Sequence, residues 1–200
     1  FWHRLTGGRL AHFYTGKQVP LPTTSQQPAT SILFEELLNY RWSLNGKLIA
    51  GAHETLGAAI EHAKIVLNPE REAMTVVGHG DAHFGNVFLV REKQYRYFDP
   101  AFAGRHSVLL DIVKPFFHNV FATWMYFPNE VARDLQLSVE LRDGCVFVEH
   151  NYVLTPVRRA ILETKLESLL HPLKAWLRSQ NALPDDWREI MQMALMCCPL

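Results

Sequence analysis

The densest run of reactive side chains in the sequence is Gly78-His79-Gly80-Asp81-Ala82-His83-Phe84-Gly85-Asn86. Thirteen residues beyond Asn86 stands Asp99, followed by Pro100, Gly104 and Asp111. Transfer of a phosphoryl group from ATP to a hydroxyl asks for three things that these residue types supply. A carboxylate must orient the attacking hydroxyl and take its proton, and hard oxygen ligands must hold Mg²⁺ across the phosphates, because that cation avoids nitrogen and sulfur. Asp81 suits the first task. Asn86, at the far end of the same loop, offers a neutral oxygen, and Asp99, returning on a neighbouring strand, offers an anionic one. A hairpin between residues 87 and 98 brings Asn86 and Asp99 side by side with no help from distant parts of the chain.

Each residue also has a plainer use. Asp81 and Asn86 are common turn residues, Asp99 before proline can start a turn, and Asp111 can cap a helix. The alternation of His79, Asp81 and His83 suggests a second chemistry. In an extended segment all three face one way, as in His/Asp metal-dependent hydrolases. No further histidine cluster supports this: His106, His118, His150 and His171 are scattered. His83 is therefore read as a loop-stabilising or substrate-side residue.

The elements that must carry this loop follow from pattern. Residues 74–77 form a short β-rich run ending at Gly78; 87–90 and 95–98 form two more, with 91–94 turning between them. A further hairpin is expected over 136–148, turned by Arg142-Asp143-Gly144. Residues 108–126 predict a mostly buried helix, kinked or restarted near Pro115. Residues 53–66, 157–180 and 185–196 are helical by periodicity, and 31–44 are too, from Ile32, Leu33, Leu37, Leu38 and Trp42. Residues 18–30, with Pro20, Pro22 and Pro28, predict an exposed loop. Phe116-Phe117 and Trp124-Met125-Tyr126-Phe127 are assigned to the core, and Arg158-Arg159 to a solvated helix face. Glu130, Asp134, Glu163 and Glu167 are acids that would attract a cationic substrate, although acids scattered on helices are ordinarily just surface. The fold class expected is α+β, mostly helical with short hairpins.

The ordered set His79-Gly80-Asp81-x-His83-x-x-Asn86, a hairpin, Asp99 and then Asp111 resembles the aminoglycoside phosphotransferase and choline kinase-like family, small-molecule relatives of the protein kinases. The resemblance covers residues 74–114. It implies that Asp81 is the catalytic base, that Asn86 and Asp99 bind Mg²⁺ and with it the nucleotide, and that Asp111 braces the loop through hydrogen bonds. It also implies that His79 is the loop's structural histidine. The chain is accordingly expected to be one kinase-like C-terminal lobe over 1–200. Pro100-Ala101-Phe102 departs from the Phe-Gly that follows this aspartate in protein kinases. The family's N-terminal nucleotide lobe has no counterpart in the 78 residues before His79: Gly7-Gly8 is no phosphate loop, and Gly16-Lys17 lacks the earlier glycine of a Walker A sequence. A non-catalytic remnant serving as a binding module is the corresponding alternative.

Composition narrows the setting. Twenty basic and twenty acidic residues cancel, so no strong field recruits nucleic acid or an anionic membrane. No apolar run reaches the ~20 residues of a spanning helix. Three cysteines, two of them adjacent at the C-terminal end, make neither a disulfide framework nor a zinc spacing, and a cytoplasmic setting is expected. The start at Phe1-Trp2-His3-Arg4 is no translation start, so the chain is expected to have been cut from something longer or processed. The partner expected is a small molecule bearing a hydroxyl, with self-association through the face that an N-lobe would cover.

Overall fold

Among the described residues, one hydrophobic cluster gathers Ile32, Leu37 and Val146 and another Ile112, Phe116, Leu170 and Met191. The structure is a computed structural model that describes residues 1–22, 30–100 and 102–200. The chain divides into two units: one comprises residues 1–69, 129–153 and 200, the other 70–128 and 154–199. Helix accounts for 47% and strand for 23%, a mixed α+β composition in which helix leads two to one.

The first unit is built around a four-stranded sheet. Cys145–His150 lies at its centre, antiparallel to Leu137–Arg142 and parallel to Arg41–Leu44, with Lys47–Leu48 on the outer edge. The expected 136–148 hairpin is present. Asp143 and Gly144 both take the left-handed conformation that a two-residue hairpin turn requires. Ile32, Leu37 and Val146 form the core, with Trp42, Val139 and Val148 packed on them. The Leu56–Val66 helix begins where Thr55 accepts a hydrogen bond from the Ala58 amide, 3.0 Å.

Two expectations fail in this unit. Residues 31–44 are not one helix: only Phe34–Leu37 makes a helical turn, between the strands Thr30–Leu33 and Arg41–Leu44. The local period loses to pairing with a strand a hundred residues away. Nor is the whole of 18–30 a loop, since Gln18–Leu21 pairs antiparallel with Thr30–Leu33. The rest of that segment, 23–29, lies outside the described residues.

The second unit holds the reactive loop. Its core joins Ile112, Phe116, Leu170 and Met191, with Leu162, Leu166, Leu173, Trp187 and Leu195 around them. The helical stretch after residue 108 is broken near Pro115 as anticipated, running as Val108–Asp111, Val113–Phe116, a wide π-type turn Phe117–Phe121, and Thr123–Tyr126. Proline has no N–H for the helical ladder, and the chain widens in the turn that follows. A second π-type turn, Leu166–Leu170, interrupts the helical stretch between Pro156–Lys165 and His171–Ser179, and Trp187–Cys197 closes the unit. Phe116 and Phe117 are buried as expected, whereas Trp124, Met125, Tyr126 and Phe127 are between 43% and 48% exposed and are not core. The last of these short helices is a single turn, too short to turn all four large side chains inward.

Two antiparallel ribbons frame the loop. Val87–Val90 pairs with Gln94–Tyr97, one residue earlier than the expected 95–98, and Thr75–Gly78 pairs with Gly104–Ser107. All three cysteines are buried and outside any disulfide. Among the described residues, no helix is long and apolar enough to cross a membrane.

Candidate functional site

Residues 79–86 leave the Thr75–Gly78 strand and enter Val87–Val90, so both ribbons fix the loop's ends. Inside the loop the backbone closes on itself. The Asp81 carbonyl accepts from the His83 amide at 2.8 Å and from Asn86 Nδ2 at 3.0 Å, and the Asn86 amide donates to the His83 carbonyl at 2.9 Å. Asn86 is buried. With its amide nitrogen spent on Asp81, Oδ1 is the atom left for a cation.

The loop is tied from outside at three points. Asp111, at the end of the Val108–Asp111 turn, accepts the Gly80 amide at 3.2 Å on Oδ1. Glycine is needed at both neighbouring positions. A Cβ on Gly78 would stand 2.6 Å from either Asp111 carboxylate oxygen, and Gly80 takes φ +74° against the Phe102 carbonyl. His79 Nε2 lies 2.8 Å from the Phe98 carbonyl. A carbonyl only accepts, so Nε2 carries the proton, and Nδ1 is buried without a hydrogen-bond partner. The third tie is Asn119 Oδ1, which accepts the Phe84 amide at 2.8 Å. Asp99 follows the second ribbon strand with φ +56°, exposed, just past Phe98, whose amide donates to the Asn86 carbonyl at 3.2 Å. That left-handed turn re-aims the chain at the residue after the strand.

The Asp81 carboxylate is surrounded by nitrogen. Lys114 Nζ is 3.3 Å from Oδ1 and His83 Nε2 is 3.8 Å away, with all three side chains at 13–15% exposure. Oδ1 itself is buried and accepts no hydrogen bond. The Lys114 ammonium also sits 3.9 Å above the Phe102 ring. His83 Nδ1 accepts the Gly85 amide at 3.0 Å, so a neutral His83 carries its proton on Nε2, towards Asp81. Burial makes His83 harder to protonate than an ordinary histidine; Asp81 opposes that shift and Lys114 adds to it.

A second layer lies behind. His118, in the π-type turn, stacks on His83 with ring centres 4.5 Å apart and meets the Tyr126 hydroxyl at 2.8 Å through Nδ1. Burial first, and Asp81 next, push the Tyr126 phenol up from its ordinary range. Arg158 Nη1 donates to the carbonyls of His118 and Asn119.

The structure thus brings His79, Asp81, Asn86 and Asp111 into one hydrogen-bonded loop and sets Asp99 one residue past it in the ladder. It does not group His79 with Asp81 and His83 as a metal cluster. His79 turns to Phe98, and the three residues whose ligand atoms lie within 4.8 Å of one another are Asp81, His83 and His118. His118 is therefore not isolated, and Arg158 is not on a solvated face. Lys114 and Asn119 went unread, and Tyr126, assigned to the core, instead meets His118 through its hydroxyl. Lys114 stands three residues after Asp111, and helical spacing alone puts the two on neighbouring positions of one helical stretch. Nothing local in the sequence pairs residues 118, 119 or 158 with the loop.

Comparison with protein-family models, curated proteins and solved structures finds no match to this chain.

Proposed function

We propose that this chain is the catalytic, kinase-like lobe of a small-molecule phosphotransferase, acting with ATP and Mg²⁺ on a hydroxyl. The observation that carries the reading is the braced loop. Asp111 and Asn86 between them fix the backbone on either side of Asp81, so one carboxylate is presented on a rigid scaffold, with the Asn86 side-chain amide bonded to the Asp81 carbonyl. Phosphoryl transfer is chiefly positioning and electrostatics, and it needs such rigidity more than it needs covalent chemistry.

The donors fit the cation. Asn86 Oδ1 and the Asp99 carboxylate are hard oxygen ligands of the kind Mg²⁺ takes. When bound, Mg²⁺ offsets the charge of the nucleotide phosphates. Asp81 holds the acceptor hydroxyl and takes its proton, Asn86 and Asp111 keep Asp81 from swinging, and His79 pins the loop to the ribbon through Phe98. Asp81, His83 and His118 suit a transition metal less well than their closeness suggests. His83 would have to give up its Nε2 proton while Nδ1 already accepts the Gly85 amide, which leaves an imidazolate.

The test is anomalous diffraction from crystals soaked with Mn²⁺ and ADP. Manganese on Asn86 and Asp99, with Asp81 close but not ligating, is the expected result. Manganese held by Asp81, His83 and His118 would overturn it in favour of metal-dependent hydrolysis. A chain that binds no nucleotide would instead favour the binding-module alternative.

A further inference from the structure

Lys114 has no part in the loop's bracing and yet is the cation nearest the proposed base. Its position is constrained from three sides. It lies in the Val113–Phe116 turn between two buried residues, Val113 and Pro115; its ammonium faces Asp81 Oδ1 at 3.3 Å; and the Phe102 ring covers it at 3.9 Å. An ammonium brings three N–H donors, and among the described residues it has one anionic neighbour and one aromatic face, so donor capacity is left over. Because Oδ1 is buried, the exposure that the Asp81 side chain keeps lies on its other atoms, and an acceptor hydroxyl must enter at Oδ2. A hydroxyl bound there lies within about 7 Å of Lys114, one carboxylate and one hydrogen bond away. The phosphorus that it attacks starts about 3–3.5 Å from that oxygen. A phosphoryl group that approaches that oxygen from the Lys114 side comes within reach of the ammonium.

We propose that Lys114 is a further catalytic residue of this site, contacting the phosphoryl group in transit. The inference rests on the phosphotransferase reading above. In the step, a lone pair on the acceptor oxygen forms the new O–P bond. The bond from the γ-phosphorus to the β,γ-bridging oxygen breaks, its electron pair leaving with ADP, and the hydroxyl proton passes to Asp81. Asp81 is anionic where an anionic phosphoryl group must arrive, and that repulsion opposes the reaction. Lys114 removes it, and its remaining N–H groups meet the charge that the transition state spreads over the three equatorial oxygens. The cation is held before substrate arrives, by a helical turn and a ring, so little reorganisation is needed at the moment of transfer.

The experiment is isothermal titration of the 200-residue chain with ADP and Mg²⁺, with and without aluminium fluoride, which mimics the phosphoryl group in flight. In the wild type, aluminium fluoride should tighten ADP binding. In Lys114→Met that tightening should fall by about tenfold or more, with ADP alone binding within about twofold of wild type. Lys114→Arg should keep most of it. Should Lys114→Met leave Asp81 too exposed to fold, the double variant Asp81→Asn/Lys114→Met, compared with Asp81→Asn, asks the same question with both charges gone. Full tightening in the Met variants would overturn the inference and make Lys114 a structural counter-ion. So would a wild type that binds ADP but gains nothing from aluminium fluoride, and in that case the phosphotransferase reading stands. A wild type that binds no ADP removes both.

Discussion

His83 sits beside the proposed base and reports its surroundings through its own protonation. Burial is the largest cause of its lowered pKa, so the folded protein resists a proton that the unfolded chain accepts. The stability that follows is fully present above the ordinary histidine value of 6.5 and is lost as the pH falls below it and through the folded value. Thermal melts between about pH 7.5 and pH 5 should show the midpoint falling on the acid side, and His83→Gln should flatten that fall. An unchanged slope would mean that other groups carry the acid sensitivity. At the same scale, much of the site could be read from the sequence. The loop, Asn86, Asp99 and Asp111 stand at spacings that a hairpin and a short strand pair must bring together. What escaped was the nitrogen around Asp81. His118 arrives from a π-type turn, whose offset from helical spacing no periodicity foretells, and Lys114, one residue before Pro115, follows the helical break at Ile112.

At the scale of elements, the Phe117–Phe121 turn is held by one residue of another helix. Arg158, near the start of Pro156–Lys165, donates to the carbonyls of His118 and Asn119 within that turn. Arg158→Ala should cost about 2 kcal/mol, the order expected for hydrogen bonds from a charged donor, seen as a lower urea midpoint at unchanged slope. A cost near zero would show that the turn holds itself. The same contrast explains which elements could be anticipated. The ribbon Val87–Val90 with Gln94–Tyr97 and the hairpin turned by Asp143-Gly144 are local, so sequence pattern locates both to within a residue or two. Arg41–Leu44 and Gly104–Ser107 exist because of distant partners, Cys145–His150 and Thr75–Gly78. Asn45-Gly46, both left-handed between Leu44 and Lys47, did signal a hairpin, but the helical count of apolar residues around Leu37 and Leu38 masked it.

At the scale of the molecule, each unit has its own hydrophobic cluster, and each also carries thiols in its interior. Cys145 starts the central strand of the first unit at 4% exposure, while Cys197 and Cys198 end the last helix of the second at 0% and 7%. None is in a disulfide. Buried thiols react with alkylating reagents only when the structure around them opens, and the rate then measures the free energy of that opening. The protein therefore contains a built-in clock for each half, with no label to introduce. Peptide-resolved alkylation in increasing urea should give one curve for Cys145 and a shared curve for Cys197 and Cys198. Coincident curves would mean that the two units melt as one cooperative body; separate ones would mean that the half bearing Asp81 can loosen while the other stays folded, or the reverse.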